Sequence, residues 1–485
     1  MSLKVYNVLT KTKEEFIPQE KGKVKMYACG ITASGDAHIG HAYQAIVFDM
    51  IKKYLEYSGY EVTYVRNYTD VDDKIIIRAR ELGVSPKDYA EAIMKKTDTE
   101  LSLLSVDPPT IQSKATECIQ DMIDVIDILI KKGHAYATDN GDVFFSVDSF
   151  SEYGKFSNRI VGDGLSGVRK EVEPGKRDDK DFALWKNAKA DEIFWNSPWG
   201  KGRPGWHIEC SVMSIKYLGE TLDIHGGGKD LVFPHHENEI AQSEALTGKR
   251  FSNYWMHNGL IKINGLKMGK SLGNSILIED LLKRYNYEVI RMTLLQNHYR
   301  SDMNVIDGMF ELNEEKIYGI YKLFDVIDTI GKDYVADTSS EILDKIEKDF
   351  QNVMDNDFNT ALAMANLFGY INEMTNKLNK KTAIQELVNM KYALIKVYGT
   401  LGFLQQSPQI VVSQIREKYI SFNNISEQEI SELIERRKFL KSERNYEGAD
   451  LIRNKLLARG IIIKDTREGT EWDIDSRSIS KKKIK

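Results

Sequence analysis

Cysteine, proline and long apolar runs are all scarce in this chain of 485 residues. With 3 cysteines and 9 prolines, the composition excludes a disulfide scaffold and a collagen-like or proline-rich chain. No stretch approaches the roughly 18 consecutive apolar residues that a membrane-spanning helix requires. From Met1 to Phe16 the chain is rich in lysine and glutamate and lacks the apolar segment of a secretion signal. We therefore expect a cytoplasmic protein with reduced thiols and no membrane partner.

The rest of the composition is that of a globular protein. Hydrophobic residues make up 42% of the chain, and 67 Lys+Arg stand against 72 Asp+Glu, a formal net charge of −5. These values exclude an intrinsically disordered chain. At about 100–200 residues per domain, the length predicts three or four domains.

Positive charge is concentrated near the C-terminus. From Ser431 to Lys485 there are 15 Lys+Arg and 10 Asp+Glu, a net of +5, so the rest of the chain carries −10. A basic cluster in this region can attract a polyanion such as RNA, although an ordinary solvated helix face is the alternative. The cluster consists of Arg436, Arg437, Lys438, Lys441 and Arg444.

The first third of the chain alternates strand and helix patterns. Residues 24–28 and 61–67 are rich in β-prone residues, and residues 42–57 between them have apolar residues at helical spacing. Such βαβ units build parallel sheets that bind phosphate where a helix begins beyond the carboxyl end of a strand. After residue 306 the spacing becomes almost entirely helical, which predicts a helical bundle.

We therefore predict an α/β fold: a Rossmann-like parallel-sheet catalytic domain with an insertion, followed by a helical bundle and a small C-terminal domain. A polar stretch at Gln405–Gln409, followed later by one at Ser421–Ser426, predicts a linker before that last domain, which should begin with a helix and end with a strand at residues 461–463. The predicted divisions are 1–115 and 205–260 for the two halves of the catalytic domain, 116–204 for the insertion, 261–305 for a lysine-loop region, 306–405 for the bundle and 420–485 for the last domain.

Two histidines follow the first predicted strand, in Gly30-Ile-Thr-Ala-Ser-Gly-Asp-Ala-His-Ile-Gly-His41. Because His38 and His41 are three residues apart at the start of a helix, both imidazoles lie on one face. Gly40 admits a nucleotide close to the backbone, and the helix N-terminus favours phosphate. A His-x-x-His pair also occurs in purely structural positions, so the pattern alone leaves its role open.

A lysine-rich turn lies far downstream, at Lys267-Met-Gly-Lys-Ser271. Lys267 and Lys270 offer two ammonium groups that can stabilise charge on a polyphosphate. Lys-x-x-Lys also arises by chance in a chain rich in lysine.

Metal-ligand spacing is found in Phe233-Pro-His-His-Glu-Asn-Glu239. If Pro234 begins a helix, His235 and Glu239 are four residues apart on one face and can chelate an ion, whereas His236 faces partly away.

Two of the three cysteines can complete such a site: Cys29, expected at the end of the first strand, and Cys210. Two thiolates, an imidazole and a carboxylate suit Zn²⁺ better than Mg²⁺ or Ca²⁺. The alternatives are a closed structural zinc site, or two core cysteines beside a surface helix rich in histidine. Cys118, in a helical stretch of the insertion, is expected to be a buried core thiol.

Together these strings resemble a known family. His38-Ile-Gly-His41 matches the HIGH motif, and Lys267–Ser271 the KMSKS motif, of class I aminoacyl-tRNA synthetases. Gly202-Arg-Pro-Gly-Trp-His-Ile-Glu-Cys210 and Phe233–Glu239 are similar to the cysteinyl-tRNA synthetases specifically. The resemblance extends over most of the chain, as far as Gly469-Thr-Glu-Trp472.

The resemblance implies a cysteine–tRNA ligase, which activates cysteine with ATP to cysteinyl-adenylate and pyrophosphate and then transfers the cysteinyl group to the 3′ end of cysteine tRNA. It also implies a monomer with one Zn²⁺ per chain and Mg²⁺ bound with ATP. The implied site residues are His38, His41, Lys267 and Lys270 for catalysis; Gly40, His41 and Lys270 for ATP; Thr69, Trp206 and Asp230 for the amino acid; and Cys29, Cys210, His235 and Glu239 for zinc.

The resemblance also gives the C-terminal half a role. Residues 261–305 would carry the lysine loop and contact the tRNA stem, the bundle would bind tRNA, and the last domain would bind the anticodon. We expect four basic side chains of that domain to contact the tRNA backbone. They are Arg436, Arg437, Lys438 and Arg444.

Zinc would explain how such an enzyme selects cysteine over serine. An apolar pocket separates near-isosteres by only about 10²-fold, whereas zinc binds a thiolate at about 2.3 Å and stabilises its deprotonated form. We therefore expect no editing domain, and the predicted insertion is short for one.

Three positions depart from the family pattern. Ala33-Ser-Gly-Asp-Ala37 replaces the usual Val-Tyr-Asp loop, Tyr43 stands where arginine is common, and Gly269 replaces the serine of KMSKS. We expect all three to line the ATP side, and Gly269 to loosen the lysine loop because glycine restricts the backbone least.

Three other functions stay open on the sequence. An ATP-dependent ligase that joins cysteine to a small amine would use the same catalytic half, but it needs no anticodon-binding domain. A zinc hydrolase built on the histidine-rich helix leaves the lysine turn and the βαβ phosphate site unexplained. An inactive RNA-binding relative is compatible with the departures on the ATP side.

Overall fold

The structure is a computed structural model that describes residues 2–158, 175–189, 192–269, 273–380, 383–466 and 469–481. Its strands, in chain order, are β1 (Lys4–Asn7), β2 (Thr12–Glu15), β3 (Lys23–Thr32), β4 (Glu61–Thr69), β5 (Ile111–Lys114), β6 (Ala135–Ala137), β7 (Val143–Phe145), β8 (Phe182–Asn187), β9 (Trp195–Ser197), β10 (Gly200–Pro204), β11 (Leu222–Gly228), β12 (Ser252–Asn258), β13 (Ile261–Ile263), β14 (Leu266–Lys267), β15 (Met303–Val305), β16 (Ile461–Asp465) and β17 (Thr470–Ile474). Its α-helices are α1 (Ile39–Tyr57), α2 (Asp73–Leu82), α3 (Pro86–Leu103), α4 (Ile119–Lys131), α5 (Trp206–Leu218), α6 (Glu237–Thr247), α7 (Ile278–Arg284), α8 (Tyr287–Leu295), α9 (Met309–Ile330), α10 (Glu341–Met354), α11 (Thr360–Asn379), α12 (Ile384–Tyr398), α13 (Pro408–Phe422), α14 (Glu427–Ser442), α15 (Tyr446–Ala458) and α16 (Ser476–Lys481).

A five-stranded sheet of order β12-β11-β3-β4-β5 forms the centre of the N-terminal half, and all its neighbouring strands are parallel. Its strands are buried on both faces: Met26 and Tyr27, which are successive residues of β3, are both inaccessible. That pattern is typical of parallel sheets covered by helices. The strand, helix and strand predicted for the first third are confirmed as β3, α1 and β4, and with them the Rossmann-like fold.

The expectation that Cys29 ends the first strand is wrong, because β3 continues to Thr32. The pairing of β3 with β4 shifts its register just beyond Ala28, and the two backbones approach closely there. A Cβ on Gly30 would lie 1.6 Å from the carbonyl oxygen of Asn67, so only glycine fits after the cysteine. The irregular pairing therefore holds Cys29 inside the sheet rather than at its edge.

Between α4 and α5 the chain forms an antiparallel sheet of order β6-β7-β8-β10-β9. Its buried Phe145 and Leu184 belong to the same apolar cluster as Ile126 of α4. The sheet continues directly into α5, where the amide of Gly205 donates to the carbonyl of Leu184. A charged loop expected at residues 169–181 lies partly outside the described residues.

The C-terminal half is helical, as predicted. Helices α9 to α13 share one apolar core with α1 and the parallel sheet. The two polar stretches from which the linker was predicted, Gln405–Gln409 and Ser421–Ser426, do not form a continuous linker, because α13 runs between them from Pro408 to Phe422 with Val411, Ile415 and Tyr419 buried. These three residues recur at the spacing of a helix face, which the surrounding glutamines and serines obscured.

The last described segment combines α14, α15 and α16 with the antiparallel hairpin β16–β17, so the strand predicted at residues 461–463 is confirmed. Asp473 of β17 is bound by the Tyr318 hydroxyl and the Lys322 ammonium of α9. Within the described ranges, no helix combines the length and apolarity needed to cross a membrane.

Candidate active site and metal centre

The paired histidines lie where β3 gives way to α1. His38 caps α1: its Nδ1 accepts from the Gly40 amide at 3.2 Å, and its own amide donates to His41 Nδ1 at 3.3 Å. The two rings are stacked, with centroids 3.7 Å apart and planes 15° apart. The helix N-terminus therefore presents two imidazoles and its partial positive charge on one side.

The lysine turn lies against this helix terminus. Residues 37–39 pair through their backbones with residues 276–278: the Ile39 amide donates to the Ile276 carbonyl at 2.8 Å, and the Ile278 amide to the Ala37 carbonyl at 3.1 Å. A Cβ on Gly40 would lie 3.1 Å from Met268 Cε. The two motifs are therefore adjacent, and Gly40 leaves room where they meet.

The side chains of the lysine turn are only partly described. Lys267 is exposed at the end of β14, and the amide of Gly269 donates to Asn274 Oδ1 at 2.9 Å. Lys270 and Ser271 lie outside the described residues. The turn is thus anchored at both ends, by the β13–β14 pairing on one side and by Asn274 on the other.

The four predicted metal ligands lie together. They are Cys29 of β3, Cys210 of α5, His235 of the turn before α6, and Glu239 of α6; all are buried, and their ligand atoms lie within 4.8 Å of one another. His235 Nε2 is 3.0 Å from Glu239 Oε1, and Cys29 Sγ is 3.4 Å from the same oxygen. Three distant segments of the sequence thus meet at this point: β3, α5, and the turn that leads into α6.

The expectation that His236 faces partly away is wrong. Its Nε2 lies 3.3 Å from Cys29 Sγ and 3.9 Å from Glu239 Oε1. The reason is local: Phe233 is extended, with φ −140° and ψ 133°, so the backbone before His235 is not a regular helical turn, and α6 begins only at Glu237. The α-helical spacing that would have turned His236 away therefore does not apply to this segment, and both His235 and His236 face the pocket.

Three further histidines, which the sequence reasoning did not assign, line the same pocket: His207, His225 and His257. His207 Nδ1 is 2.9 Å from His235 Nδ1, and His257 Nε2 is 2.7 Å from His236 Nδ1. His225 is the middle residue of β11, and His257 lies near the C-terminal end of β12, toward the edge at which parallel sheets bind ligands. The position in the strand was therefore a signal that could have found His257.

The pocket favours anionic donors. Hydrogen bonding from Cys29 lowers the pKa of the Cys210 thiol to about 6, and burial raises the pKa of Cys29. Burial acts to raise the pKa of Glu239, but His225 and His235 outweigh it and hold that pKa well below its usual range. Burial likewise acts to lower the pKa of His235, but Glu239 outweighs it and raises the pKa to about 10.

These donors fit a metal ion that binds sulfur and nitrogen, rather than Mg²⁺ or Ca²⁺. The buried Glu239 carboxylate lies 3.2 Å from His225 Nε2 through Oε2 and 3.0 Å from His235 Nε2 through Oε1, and a buried carboxylate requires such polar partners or a cation. Thiol, imidazole and carboxylate groups therefore converge on one point, where a bound cation would be coordinated by suitable donors and would balance the charge of the buried carboxylate.

The predicted amino-acid contacts lie around this pocket. The Trp206 ring stacks on His235, with centroids 4.3 Å apart, and the tryptophan is 41% exposed, so it borders the opening. The Thr69 hydroxyl donates to Glu209 Oε2 at 2.7 Å; burial raises the pKa of that glutamate. Asp230 is exposed.

Comparison with known proteins gives one consistent answer. Residues 15–315 match the family described as tRNA synthetases class I (C) catalytic domain, and residues 349–405 match the DALR domain. Cysteine--tRNA ligases of Geobacter sulfurreducens and Geobacter metallireducens are 46% and 47% identical to the chain, each alignment covering 98% of the chain and 100% of the relative. The chain belongs to the cysteine–tRNA ligase family.

Solved structures of other class I synthetases share the fold of this family member. The Mycobacterium tuberculosis methionyl-tRNA synthetase in complex with methionyl-adenylate matches with a TM-score of 0.58 at 12% identity, over 81% of this chain and 94% of that one. The Agrobacterium radiobacter K84 agnB2 LeuRS, in a ternary complex with tRNA, matches with a TM-score of 0.61 at 11% identity, over 82% and 85%. At such low sequence identity, the structural similarity shows a shared fold and nothing about function.

The departures from the family pattern do not all line the nucleotide side. Tyr43 is fully buried in α1, and its hydroxyl donates to the Tyr299 carbonyl at 2.9 Å, because a buried phenol needs a partner and the backbone supplies one. Asp36 does lie beside the nucleotide motifs. Lys96 Nζ is 2.8 Å from Asp36 Oδ1 and 2.8 Å from Glu279 Oε2, which links the loop before α1 to α7.

The C-terminal basic residues differ in accessibility. Arg437 is buried and donates to both oxygens of Asp465, at 2.8 and 3.1 Å, so the expectation that it contacts tRNA does not fit the folded domain. Arg436, Lys438 and Arg444 are exposed. The periodicity of α14 explains this difference in accessibility. Arg437 lies three residues after Ile434 and shares the buried face of the helix with Ile430 and Ile434.

The remaining cysteine is outside the metal pocket. Cys118 is buried, with Lys216 Nζ 3.7 Å and the Tyr217 hydroxyl 4.0 Å from its sulfur. It belongs to the apolar cluster of the insertion and α5, in agreement with the core position expected from the sequence.

Proposed function

We propose that this protein is a cysteine–tRNA ligase in its own right: it activates cysteine with ATP, releases pyrophosphate, and transfers the cysteinyl group to the 3′ end of cysteine tRNA. The observation that carries the proposal is the buried cluster of two thiols, an imidazole and a carboxylate, one of which, Cys29, is on the strand that leads into the paired histidines. Similarity to curated cysteine--tRNA ligases over 98% of the chain supports it.

The nucleotide side would hold ATP with Mg²⁺. Gly40 gives the nucleotide access to the backbone at the α1 terminus, and His38, His41, Lys267 and Lys270 would stabilise charge that develops on the α-phosphate and the departing pyrophosphate. No protein nucleophile is needed, because the substrate carboxylate attacks phosphorus directly. One well-placed donor of this kind is typically worth about 3–4 kcal/mol of barrier.

The metal pocket would hold one Zn²⁺ through Cys29, Cys210, His235 and Glu239. When bound, zinc supplies a soft Lewis acid that prefers a thiolate to a hydroxyl. Trp206, next to His235, would pack against the amino acid at the pocket opening. Thr69 and Asp230 would complete the amino-acid contacts, so that cysteine is selected over serine without an editing domain.

The C-terminal half would bind tRNA. The exposed Arg436, Lys438 and Arg444 are the cations proposed to contact its backbone, and the buried Arg437 is left out of that set. Activation of cysteine requires only the parallel sheet and its loops, whereas recognition of the tRNA requires contacts far from the site, which a helical bundle and a last domain can provide. The protein would act as a monomer in the cytoplasm.

The test is cysteine-dependent charging of tRNA, with serine as the control substrate, by the wild type and by Cys210→Ser. We expect the wild type to charge with cysteine only, and the variant to lose charging because the outer set of zinc ligands is incomplete. If the wild type exchanged pyrophosphate with cysteine and ATP but charged no tRNA, the proposal would fail in favour of a ligase that joins cysteine to a small amine.

A further inference from the structure

The metal pocket contains two overlapping sets of donors rather than one. The outer position is formed by Cys29, Cys210, His235 and Glu239. A second group shares two of these residues, and we name it the inner position: Cys29, His225, His236 and Glu239. Within each group the ligand atoms lie within 4.8 Å of one another, and every residue is buried.

The inner donors have the spacing of a tetrahedral metal site. Around an ion with bonds of about 2.0–2.3 Å, neighbouring donors lie roughly 3.3–3.6 Å apart. Cys29 Sγ is 3.3 Å from His236 Nε2, 3.7 Å from His225 Nε2 and 3.4 Å from Glu239 Oε1. Glu239 also lies 3.2 Å from His225 Nε2 through Oε2, and 3.9 Å from His236 Nε2 through Oε1.

One of the two inner histidines, His236, also has the supporting contact that is typical of a metal ligand. Histidine ligands usually bind the ion through one ring nitrogen while the other is held by a hydrogen bond. His236 has that arrangement, with Nε2 toward Cys29 and Nδ1 held at 2.7 Å by His257. His235, in the outer position, is held in the same way by His207 at 2.9 Å.

Charge distinguishes the two positions. Two thiolates and a carboxylate around a divalent ion leave the outer position with a net negative charge. One thiolate and one carboxylate leave the inner position neutral, and a neutral assembly is the less costly one to bury. The inner donors can therefore hold a divalent ion without another charged group nearby to neutralise the assembly.

The two positions also differ in their distance from the pocket opening. Trp206, which borders the opening, stacks on His235. His236 instead contacts the buried rings of Trp255 and His257, with centroids 5.3 and 4.8 Å away. An ion in the inner position would be withdrawn from the side on which the amino acid is proposed to enter.

We propose that Cys29, His225, His236 and Glu239 form a second metal position, which takes one zinc-class divalent ion whenever the outer donors are incomplete. The two positions share two ligands, so the pocket holds a single ion that occupies one or the other. The inference adds a site to the proposed function, and its test does not require tRNA charging.

The test uses Co²⁺ as the probe and the full-length Cys210→Ser variant as the background. This substitution leaves three outer donors and all four inner donors. We expect the variant to bind one Co²⁺ per chain, followed by the absorption of the ion in a titration.

Two matched double variants then separate the positions. Cys210→Ser with His235→Asn removes a second outer ligand, and Cys210→Ser with His236→Asn removes an inner one. We expect the first double variant to bind Co²⁺ with an affinity within about threefold of that of Cys210→Ser alone. The second should bind Co²⁺ with an affinity at least 10-fold lower. The reverse order, or loss of Co²⁺ from both double variants, would overturn the proposal and leave His225 and His236 with hydrogen bonds only.

Circular dichroism decides whether the double variants fold. If either does not fold, a crystal structure of Cys210→Ser grown with Zn²⁺ replaces the titration, because the anomalous signal of zinc locates the ion. An ion about 2.0–2.1 Å from His236 Nε2 supports the inner position, and an ion bonded to His235, or no ion, overturns it. Because these readouts concern metal alone, their failure is distinct from failure of the ligase reaction.

Discussion

The metal pocket and the nucleotide side of the site are built in opposite ways. The pocket is made of side chains: its donors come from β3, α5, the turn before α6 and α6 itself, and all are buried. The nucleotide side is made largely of backbone, where residues 37–39 pair with 276–278 and a helix begins between two stacked imidazoles. Lys267 there is exposed.

Under the proposed function, this difference gives the two sides different tasks. Because the donors are buried and have fixed partners, we expect the pocket to determine which amino acid is bound. We expect the helix terminus and the exposed Lys267 to stabilise charge that appears only during reaction, and so to determine how fast the bound amino acid reacts. Substitutions on the two sides should therefore change different measured quantities.

The sharpest test of this division is Cys29→Ser, which removes the sulfur shared by both metal positions. We expect zinc to be lost, and kcat/KM for cysteine in pyrophosphate exchange to fall by more than the ~100-fold that loss of an outer-shell partner costs. Metal analysis and exchange kinetics measure the two effects. Cys118→Ser is the matched control, because that thiol is buried outside the pocket and its loss should leave zinc in place; full zinc content in Cys29→Ser would refute the assignment.

On the nucleotide side, His41→Asn should lower kcat for pyrophosphate exchange by about 10²- to 10³-fold, the usual effect of removing one charge-stabilising donor. Asparagine keeps an acceptor for the His38 amide, which donates to His41 Nδ1 at 3.3 Å, so the cap of α1 should persist. Zinc content and the KM for cysteine should stay unchanged. A parallel loss of zinc would show that the two sides are not separable.

Local patterns predicted much of this site. The βαβ alternation, the placement of His38 and His41 on one helix face, and the pairing of His235 with Glu239 follow from residue type and spacing within a few positions, whereas the full set of four outer donors came from the family resemblance. His225 and His257 were missed because their part in the pocket depends on which strands are neighbours, and neighbours in a parallel sheet are distant in sequence.

The errors have the same origin in long-range or irregular geometry. Cys29 lies inside β3, where the pairing with β4 shifts its register, and His236 faces the pocket because the backbone is kinked at Phe233 before α6 begins. Arg437 was assigned to tRNA because its partner Asp465 is 28 residues away, on a hairpin whose register the sequence does not reveal. In each case the position of the side chain depends on structure that a local sequence pattern cannot identify.

A third region extends the comparison to tRNA. The double reversal Arg436→Glu with Lys438→Glu should raise the KM for tRNA about 10-fold at low salt and flatten its salt dependence, by about one unit of slope for each tRNA phosphate that the protein no longer neutralises. Pyrophosphate exchange should be unaffected. Arg437→Gln is the contrasting variant, expected to lower stability without changing the salt slope, and an equal slope change in both would contradict the split between buried and exposed cations.

The smallest effect expected is that of Asp465→Asn. Arg437 donates to both oxygens of Asp465, Lys441 lies 2.6 Å away, and these hydrogen bonds hold the pKa of the carboxylate below its usual range. A depressed folded pKa stabilises the fold above the unfolded pKa of about 3.9, and this contribution is lost as the pH falls through the folded value. Because Asp465 is 48% exposed and screened by solvent, we expect a loss of only about 1 kcal/mol at pH 7. Thermal unfolding should show that loss at pH 7 and a smaller one below pH ~3; equal midpoints at pH 7 would mean that Arg437 is not held by this pair and is available to the tRNA.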